Sequence, residues 1–260
     1  AISALDQHGG VQVLVDGENG NIVVLTPGEK HEPLRGVSEP QRVESTNIPV
    51  KLWINVTDPA QLHAFDWEGI EGVGLYRTEA LFMSKTAHFP SEREQLKVYS
   101  DFFKFCGDRP VTIRTVDIGG DKPIEHMTMG PQENPQLGLR AHRLYHYHPE
   151  ILITQLRAIL RAARSHSRLR IMYPLIETVD QWRFVQELTD QAVSSLSEEG
   201  VDFCSEFEKG PLIETPIAAW RFDCLAAESD FVSVGTNDLV QYMFAVDRND
   251  ANVGYMYQPE

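Results

Sequence analysis

The sequence predicts an α/β protein whose main body is most of a (β/α)8 barrel of the TIM type, with about six of its strands present. Three observations carry that expectation. Six short apolar runs recur between residues 50 and 235. The segments between them carry apolar residues at helical spacing, and several open on a pair of residues that caps a helix. The runs are apolar on both faces, as parallel strands covered by helices are.

Ahead of the barrel, "VQVLVDGENGNIVVLTP" places two apolar runs around a Gly/Asn turn, which predicts a hairpin within a β-rich piece at 1–28. Residues 29–48 carry proline, glycine and charge without periodicity and read as a linker. The barrel then runs over 49–260. "VKLWINV" (50–56) is its first strand, and Asp58 followed by Pro59 opens a helical turn. "GVGLYR" (72–77) is the second; Ser91 and Glu94 form a capping box for a helix with Leu96, Tyr99, Phe103 and Cys106 on one face. "VTIRTVD" (111–117) is the third, followed by a long loop and a helix from Pro149 that turns Leu152, Leu156, Ile159 and Leu160 inward. "LRIMYPLI" (169–176) is the fourth, and Thr178 with Gln181 caps a helix bearing Trp182, Val185, Leu188 and Leu196. "PLIE" (211–214) and "FVSVG" (231–235) are the fifth and sixth, with Thr215 and Pro216 opening the helix between them.

Composition narrows the function. At 260 residues and 42% hydrophobic, the chain can bury a sizeable core. A formal charge of -15 with no basic patch opposes nucleic-acid or anionic-membrane binding, so an anionic ligand must be small and held by a few converging arginines. Three cysteines without close pairing read as reduced thiols, with Cys106 and Cys224 on inner helix faces. There is no secretory signal and no run of eighteen apolar residues, and the absence of an initiator Met marks a fragment; the expected location is cytoplasmic. The cluster His142, His146 and His148 reads as solvated surface rather than a metal site, because no acid stands at matching spacing.

In a barrel of this kind the chemistry gathers at the C-terminal ends of the strands. Those ends hold Asn55, Arg77, Arg114, Glu214 and the pair Asn237–Asp238, with Arg248 just beyond. Ionic groups at the tips of buried strands are costly unless paired or used. Incidental ion pairs are one reading; a shared ligand site is the other, favoured because four strands contribute. Arg77, Arg114 and Arg248 suit phosphate oxygens through their planar forks. Glu214 and Asp238 suit Mg2+, which takes two carboxylates and leaves its other positions to substrate and water. Asn237 can orient a carboxylate or bridging oxygen beside them.

The stretches "GVGLYRTE" (72–79), "IRTVDIGGDK" (113–122), "ENPQLGLRAHR" (133–143), "IETP" (213–216), "VGTNDLVQY" (234–242) and "AVDR" (245–248) closely resemble the phosphoenolpyruvate-binding barrel of the Enzyme I family. These are the phosphoenolpyruvate-protein phosphotransferases of bacterial sugar phosphotransferase systems. The resemblance covers residues 50–260. It implies a barrel of the phosphoenolpyruvate/pyruvate type, with Arg77, Arg114 and Arg248 binding the phosphoryl and carboxylate groups, Lys122 supplementing them and Arg140 in support. It further implies Mg2+ on Glu214 and Asp238, a substrate contact at Asn237, a homodimer, and a small phosphocarrier protein (HPr-like) as partner.

Departures bound the implication. The family's phosphorylated histidine lies in a Gly/Thr/Ser-His motif and its acid cysteine in a Cys-Gly-Glu motif, and neither occurs in this sequence. The hairpin at 11–28 resembles the last strands of the histidine-bearing swivelling domain. The linker is short and proline-broken, and Pro211 sits where a strand residue is expected. Two further enzyme classes stay open: a phosphoenolpyruvate synthase or pyruvate phosphate dikinase, and a Mg2+-dependent enolate lyase. A phosphoenolpyruvate-binding module without catalysis is the third alternative.

Overall fold

A computed structural model describes residues 13–16, 21–24, 50–63, 65–83, 88–119 and 133–258. The chain divides into two units at residues 49 and 50. In the first, β1 (Val13–Asp16) pairs antiparallel with β2 (Asn21–Val24), Val13 opposite Val24. The linker predicted at 29–48 lies outside the described residues.

The second unit is one six-stranded sheet in strictly sequential order, β3 (Leu52–Val56), β4 (Ile70–Arg77), β5 (Val111–Arg114), β6 (Leu169–Tyr173), β7 (Glu208–Ile213) and β8 (Ser233–Val234). Every neighbouring pair is parallel. The tips of all six strands line a single cavity, so the sheet curls as an incomplete barrel. Its outer edges are β3 and β8, where Leu52 and Val234 are exposed.

Eight α-helices are described: α1 (Glu79–Met83), α2 (Glu92–Cys106), α3 (His142–Tyr145), α4 (Pro149–Ala162), α5 (Val179–Glu198), α6 (Pro216–Trp220), α7 (Phe222–Ala227) and α8 (Thr236–Phe244). The capping boxes read from sequence form at Ser91 with Glu94 and at Thr178 with Gln181. Asp58 makes a third, though it starts only a 3-10 turn, Pro59–Leu62. Each cap is worth about 1 kcal/mol because it satisfies amide groups the helix cannot. Helices α2, α4 and α5 pack side by side against the sheet, with Phe102, Leu156 and Trp182 fully buried.

The structure moves several boundaries. β5 ends at Arg114 rather than Asp117, because side chains take over the backbone groups of the next residues. β6 ends at Tyr173, before a turn in which Leu175 holds a positive φ of 56°. β7 starts at Glu208 and runs through Pro211. Lys209 and Ile213 direct their backbone groups toward the β8 side, where β8 joins the ladder only at Ser233; Pro211 falls on the same alternation just ahead of that point. Two side chains also move: Cys106 is buried as expected, but Cys224 is exposed, and His142 is buried rather than solvated. His146 does face solvent, its ring stacked on Phe184 at 4.0 Å.

Candidate functional site

The cavity at the strand tips has a volume of about 350 Å³. Seven of the eight residues given a ligand role in the sequence line it: Arg77, Arg114, Arg140, Glu214, Asn237, Asp238 and Arg248. Asn55 joins them at the rim. Lys122 lies outside the described residues.

Local backbone explains how distant residues meet. Arg140 arrives through an antiparallel bridge between Gly119 and Arg140. Gly119 has a φ of +96°, and a Cβ there would sit 2.1 Å from the Leu139 carbonyl oxygen, so only glycine permits the bridge. Glu214 follows β7 directly and is packed against Gly235, where a Cβ would approach the Glu214 carboxylate to 2.9 Å. Asp238 lies in the first turn of α8. That helix ends at Ala245 in the left-handed conformation, and the Arg248 amide then donates to Gln241 Oε1 at 3.2 Å. The chain is thereby folded back, and Arg248 Nη1 donates to Asp238 Oδ1 at 2.8 Å.

The floor of the cavity is a buried chain of alternating charges. Arg114 Nη2 donates to Glu79 Oε1 at 2.7 Å and lies 3.5 Å from Asp117 Oδ2. Arg140 grips Asp117 with two bonds, from Nε at 3.1 Å and from Nη2 at 2.7 Å. The same Nη2 reaches Asp238 Oδ2 at 3.1 Å. Nη1 of Arg140 is held by Gln136 Oε1 at 2.5 Å and by the Tyr242 hydroxyl at 3.3 Å. Burial works against both guanidinium charges, yet the neighbouring carboxylates hold Arg114 and Arg140 more firmly charged than usual. Glu79, Asp117, Gln136 and Tyr242 were not among the residues expected from sequence. Glu79 and Asp117 do lie inside two of the quoted motifs, each a few residues after a strand-tip arginine.

Two features of this floor bear on what it can hold. Nε of Arg114 is buried with no hydrogen-bond partner among the described residues, an unsatisfied donor beside the cavity lining. Glu214 is the second. Its carboxyl is pushed up to about 8, first by burial, then by the charges of Asp117 and Asp238, against the opposing pull of Arg114 and the Leu175 N–H at 2.8 Å. Three carboxylates share this wall, and a cation beside Glu214 and Asp238 would relieve their repulsion. Among the described residues no group of three or more His, Cys, Asp or Glu side chains is placed to hold a metal alone. The donor set therefore fits a hard cation that takes two carboxylates here and draws its remaining oxygens from a ligand and water.

The rim is different. Arg77 and Asn237 are exposed, and Arg77 has no ion-pair partner among the described residues. An unpaired arginine at a strand tip, facing a cavity with a buried guanidinium 37 residues further along on the neighbouring strand, offers two forks to one anion.

Residues 34–260 match the family model described as "PEP-utilising enzyme, PEP-binding domain". The chain is similar to the phosphoenolpyruvate-protein phosphotransferase of Priestia megaterium, 38% identical over 269 residues, which is 98% of this chain and 46% of that protein. It is 35% identical over 264 residues to the protein of that name from Staphylococcus aureus, covering 96% of this chain and 46% of the relative. For the one from Geobacillus stearothermophilus the identity is 37% over 261 residues, 95% of this chain and 45% of the relative. The chain thus spans about half the length of the curated relatives it matches.

Proposed function

This chain belongs to the phosphoenolpyruvate-utilising enzymes, matching them through the phosphoenolpyruvate-binding domain, and on that basis we propose that its cavity is the substrate and Mg2+ site of a phosphoenolpyruvate-protein phosphotransferase. The observation that carries this reading is the charge chain from Glu79 through Arg114, Asp117, Arg140 and Asp238 to Arg248, closing beneath a cavity whose rim holds an unpaired arginine. The floor balances its own charges, so the unpaired Arg77 and the partly exposed Arg248 supply the positive charge for a compact anion.

In this reading Arg77 and Arg114, both lining the cavity, grip the phosphoryl oxygens. Arg248 closes over the same group from the end of α8, and Lys122 supplements the three. Asn237, exposed at the head of α8, orients the carboxylate. Arg140 is already saturated by Asp117, Asp238, Gln136 and Tyr242, which supports a role in holding the acids rather than in gripping substrate. Glu214 and Asp238 would hold Mg2+, which when bound neutralises charge on the phosphoryl oxygens. The bond from phosphorus to the enol oxygen breaks as a bond to a histidine nitrogen forms, and the enolate takes a proton at carbon to leave as pyruvate. A loose phosphoryl transition state asks chiefly for alignment and charge neutralisation, which this arginine set supplies.

The accepting histidine belongs to a motif that these 260 residues do not contain. The group would then pass to a small phosphocarrier protein, the enzyme acting in the cytoplasm as a homodimer. Among the enzyme classes left open by the sequence, the names of the relatives support the phosphotransferase. The deciding experiment is calorimetric titration of the full-length protein with phosphoenolpyruvate, with and without Mg2+. Binding that requires Mg2+ is expected; no binding under either condition by folded protein would refute the reading.

A further inference from the structure

Gln155 stands where an apolar residue is expected. It lies on the inner face of α4 between Leu152 and Leu156, completely buried, and it does not line the cavity. A primary amide in such a place is costly unless every donor and acceptor finds a partner. Here each does. Oε1 accepts from the Val116 amide at 2.8 Å, while Nε2 donates to Thr78 Oγ1 at 3.0 Å and to the Tyr99 hydroxyl at 3.1 Å.

Those partners are the strand tips of the site. Thr78 lies between Arg77 and Glu79, and Val116 directly precedes Asp117, two residues after Arg114. The Thr78 hydroxyl in turn donates to the Arg114 carbonyl at 3.0 Å, and the Tyr145 hydroxyl donates to the Val116 carbonyl at 2.7 Å. The Thr115 amide still donates to the Met172 carbonyl at 2.9 Å, but the amides of Val116 and Asp117 donate to the side chains of Gln155 and Glu79 instead of a neighbouring strand. One side chain thus ties the segment after β5 to the residue after β4, from beneath and without touching the cavity.

We propose that Gln155 is a positioning residue of the site, clamping the tips of β4 and β5 so that Arg77, Arg114 and Asp117 keep the spacing that an anion bridging the two arginines requires. The ligand part of this inference rests on the phosphoenolpyruvate reading. The clamp itself does not. A purely stabilising buried amide would leave both the local backbone and ligand affinity untouched once the fold is intact.

The test compares Gln155→Met, of similar length and no hydrogen bonds, with Thr189→Val in the full-length protein. Thr189 is also buried and hydrogen bonded, to Tyr173 at 2.7 Å, but on α5 and away from the site. Three quantities are measured: thermal midpoint, amide hydrogen exchange over residues 111–117 in ligand-free protein, and phosphoenolpyruvate affinity with Mg2+. Both variants should lower the midpoint. Only Gln155→Met should raise exchange at residues 115–117 and weaken affinity, each by about tenfold, with residues 169–173 unchanged. Affinity within about twofold of wild type, or unaltered exchange at 115–117, would overturn the proposal. Should Gln155→Met not fold, Gln155→Asn, which withdraws the amide by one methylene, carries the same test with an expected change of about fivefold. If wild type itself binds no phosphoenolpyruvate, the functional reading fails, and the exchange measurement still decides the clamp.

Discussion

The floor and the rim of the cavity are built on opposite principles. Arg114, Asp117, Arg140, Glu214 and Asp238 are all buried at 7% exposure or less, and the two arginines are already matched to acids. Asn55, Arg77 and Asn237 are exposed, and Arg248 keeps 30% of its side chain in solvent while pairing with Asp238. A buried pair gains little net stability, since desolvation consumes most of the attraction, but removing one partner costs about 3–5 kcal/mol. The floor is therefore a rigid template that cannot rearrange without penalty, and the rim is free to answer a ligand. Substitutions in the floor should change folding and binding together; substitutions in the rim should change binding alone.

The largest effect is expected at Asp238, where the two regions meet. Asp238→Ala removes the partner of Arg248, one of two acids on Arg140, and one of the two proposed Mg2+ ligands. Phosphoenolpyruvate affinity in Mg2+ should fall by roughly 100-fold or more, with Mg2+ no longer improving it. Calorimetry at matched ionic strength reads both. Retained Mg2+ dependence in this variant would rule out the metal assignment.

Arg114→Lys comes next and keeps the charge. Lysine cannot present a planar fork to Glu79 and a phosphate together, so affinity should fall by roughly 10- to 100-fold and the thermal midpoint should drop as well. Wild-type affinity would mean that charge alone suffices at this position, and the floor is then less of a template than its geometry indicates.

These two residues were legible in the sequence because a barrel sends its strand tips to one face, so an arginine or acid ending a buried run announces itself. The acids that hold the arginines were not. Glu79 and Asp117 follow strands at positions where helix starts and turns also favour acids, and their pairing with Arg114 and Arg140 spans 23 to 35 residues that no local period connects. Cys224 was placed inside from helical spacing, but α6 and α7 are short and broken at Trp220 to Phe222, so the phase of one does not carry into the next. Spacing alone groups His142 with His146 and His148 as one solvated cluster. The structure separates them because α3 has a single turn, entered through Ala141 at a positive φ of 48°, which turns His142 inward. Gln155 escaped notice for a related reason: helical periodicity marks a buried face without saying which polar group that face can satisfy.

The inward turn of His142 also bears on how acid acts on stability. Burial first, then the charges of Arg143 and His146, lower its pKa to about 3. Its Nδ1 has no partner among the described residues, so nothing there rewards protonation. In the unfolded chain the ring returns to its ordinary value near 6.5. The unfolded state therefore binds the extra proton between these two values, and stability falls as pH drops through that window, by up to about 1.4 kcal/mol per pH unit. Above pH 6.5 the contribution is flat. Denaturant midpoints from pH 7 to pH 4 should fall less steeply in His142→Leu than in wild type. Parallel curves would show that this ring is not shielded as the structure has it.

The smallest change is the sharpest test of the contrast. Arg77 ends β4 beside Arg114 on β5, yet it is exposed and has no ion-pair partner among the described residues. Removing it strands no buried acid and opens no cavity in the core, so Arg77→Ala should leave unfolding free energy within about 0.5 kcal/mol of wild type. Binding is another matter, because an unpaired guanidinium at the rim loses little by turning to a phosphate and gains charge-assisted bonds when it does. Affinity for phosphoenolpyruvate should fall by about tenfold, equivalent to about 1.4 kcal/mol, with the Mg2+ dependence intact. A loss of stability comparable with that of Arg114→Lys would place Arg77 in the template and erase the distinction between rim and floor. Unchanged stability with unchanged affinity would leave the phosphate to Arg114 and Arg248 and shift the ligand toward the α8 side of the cavity.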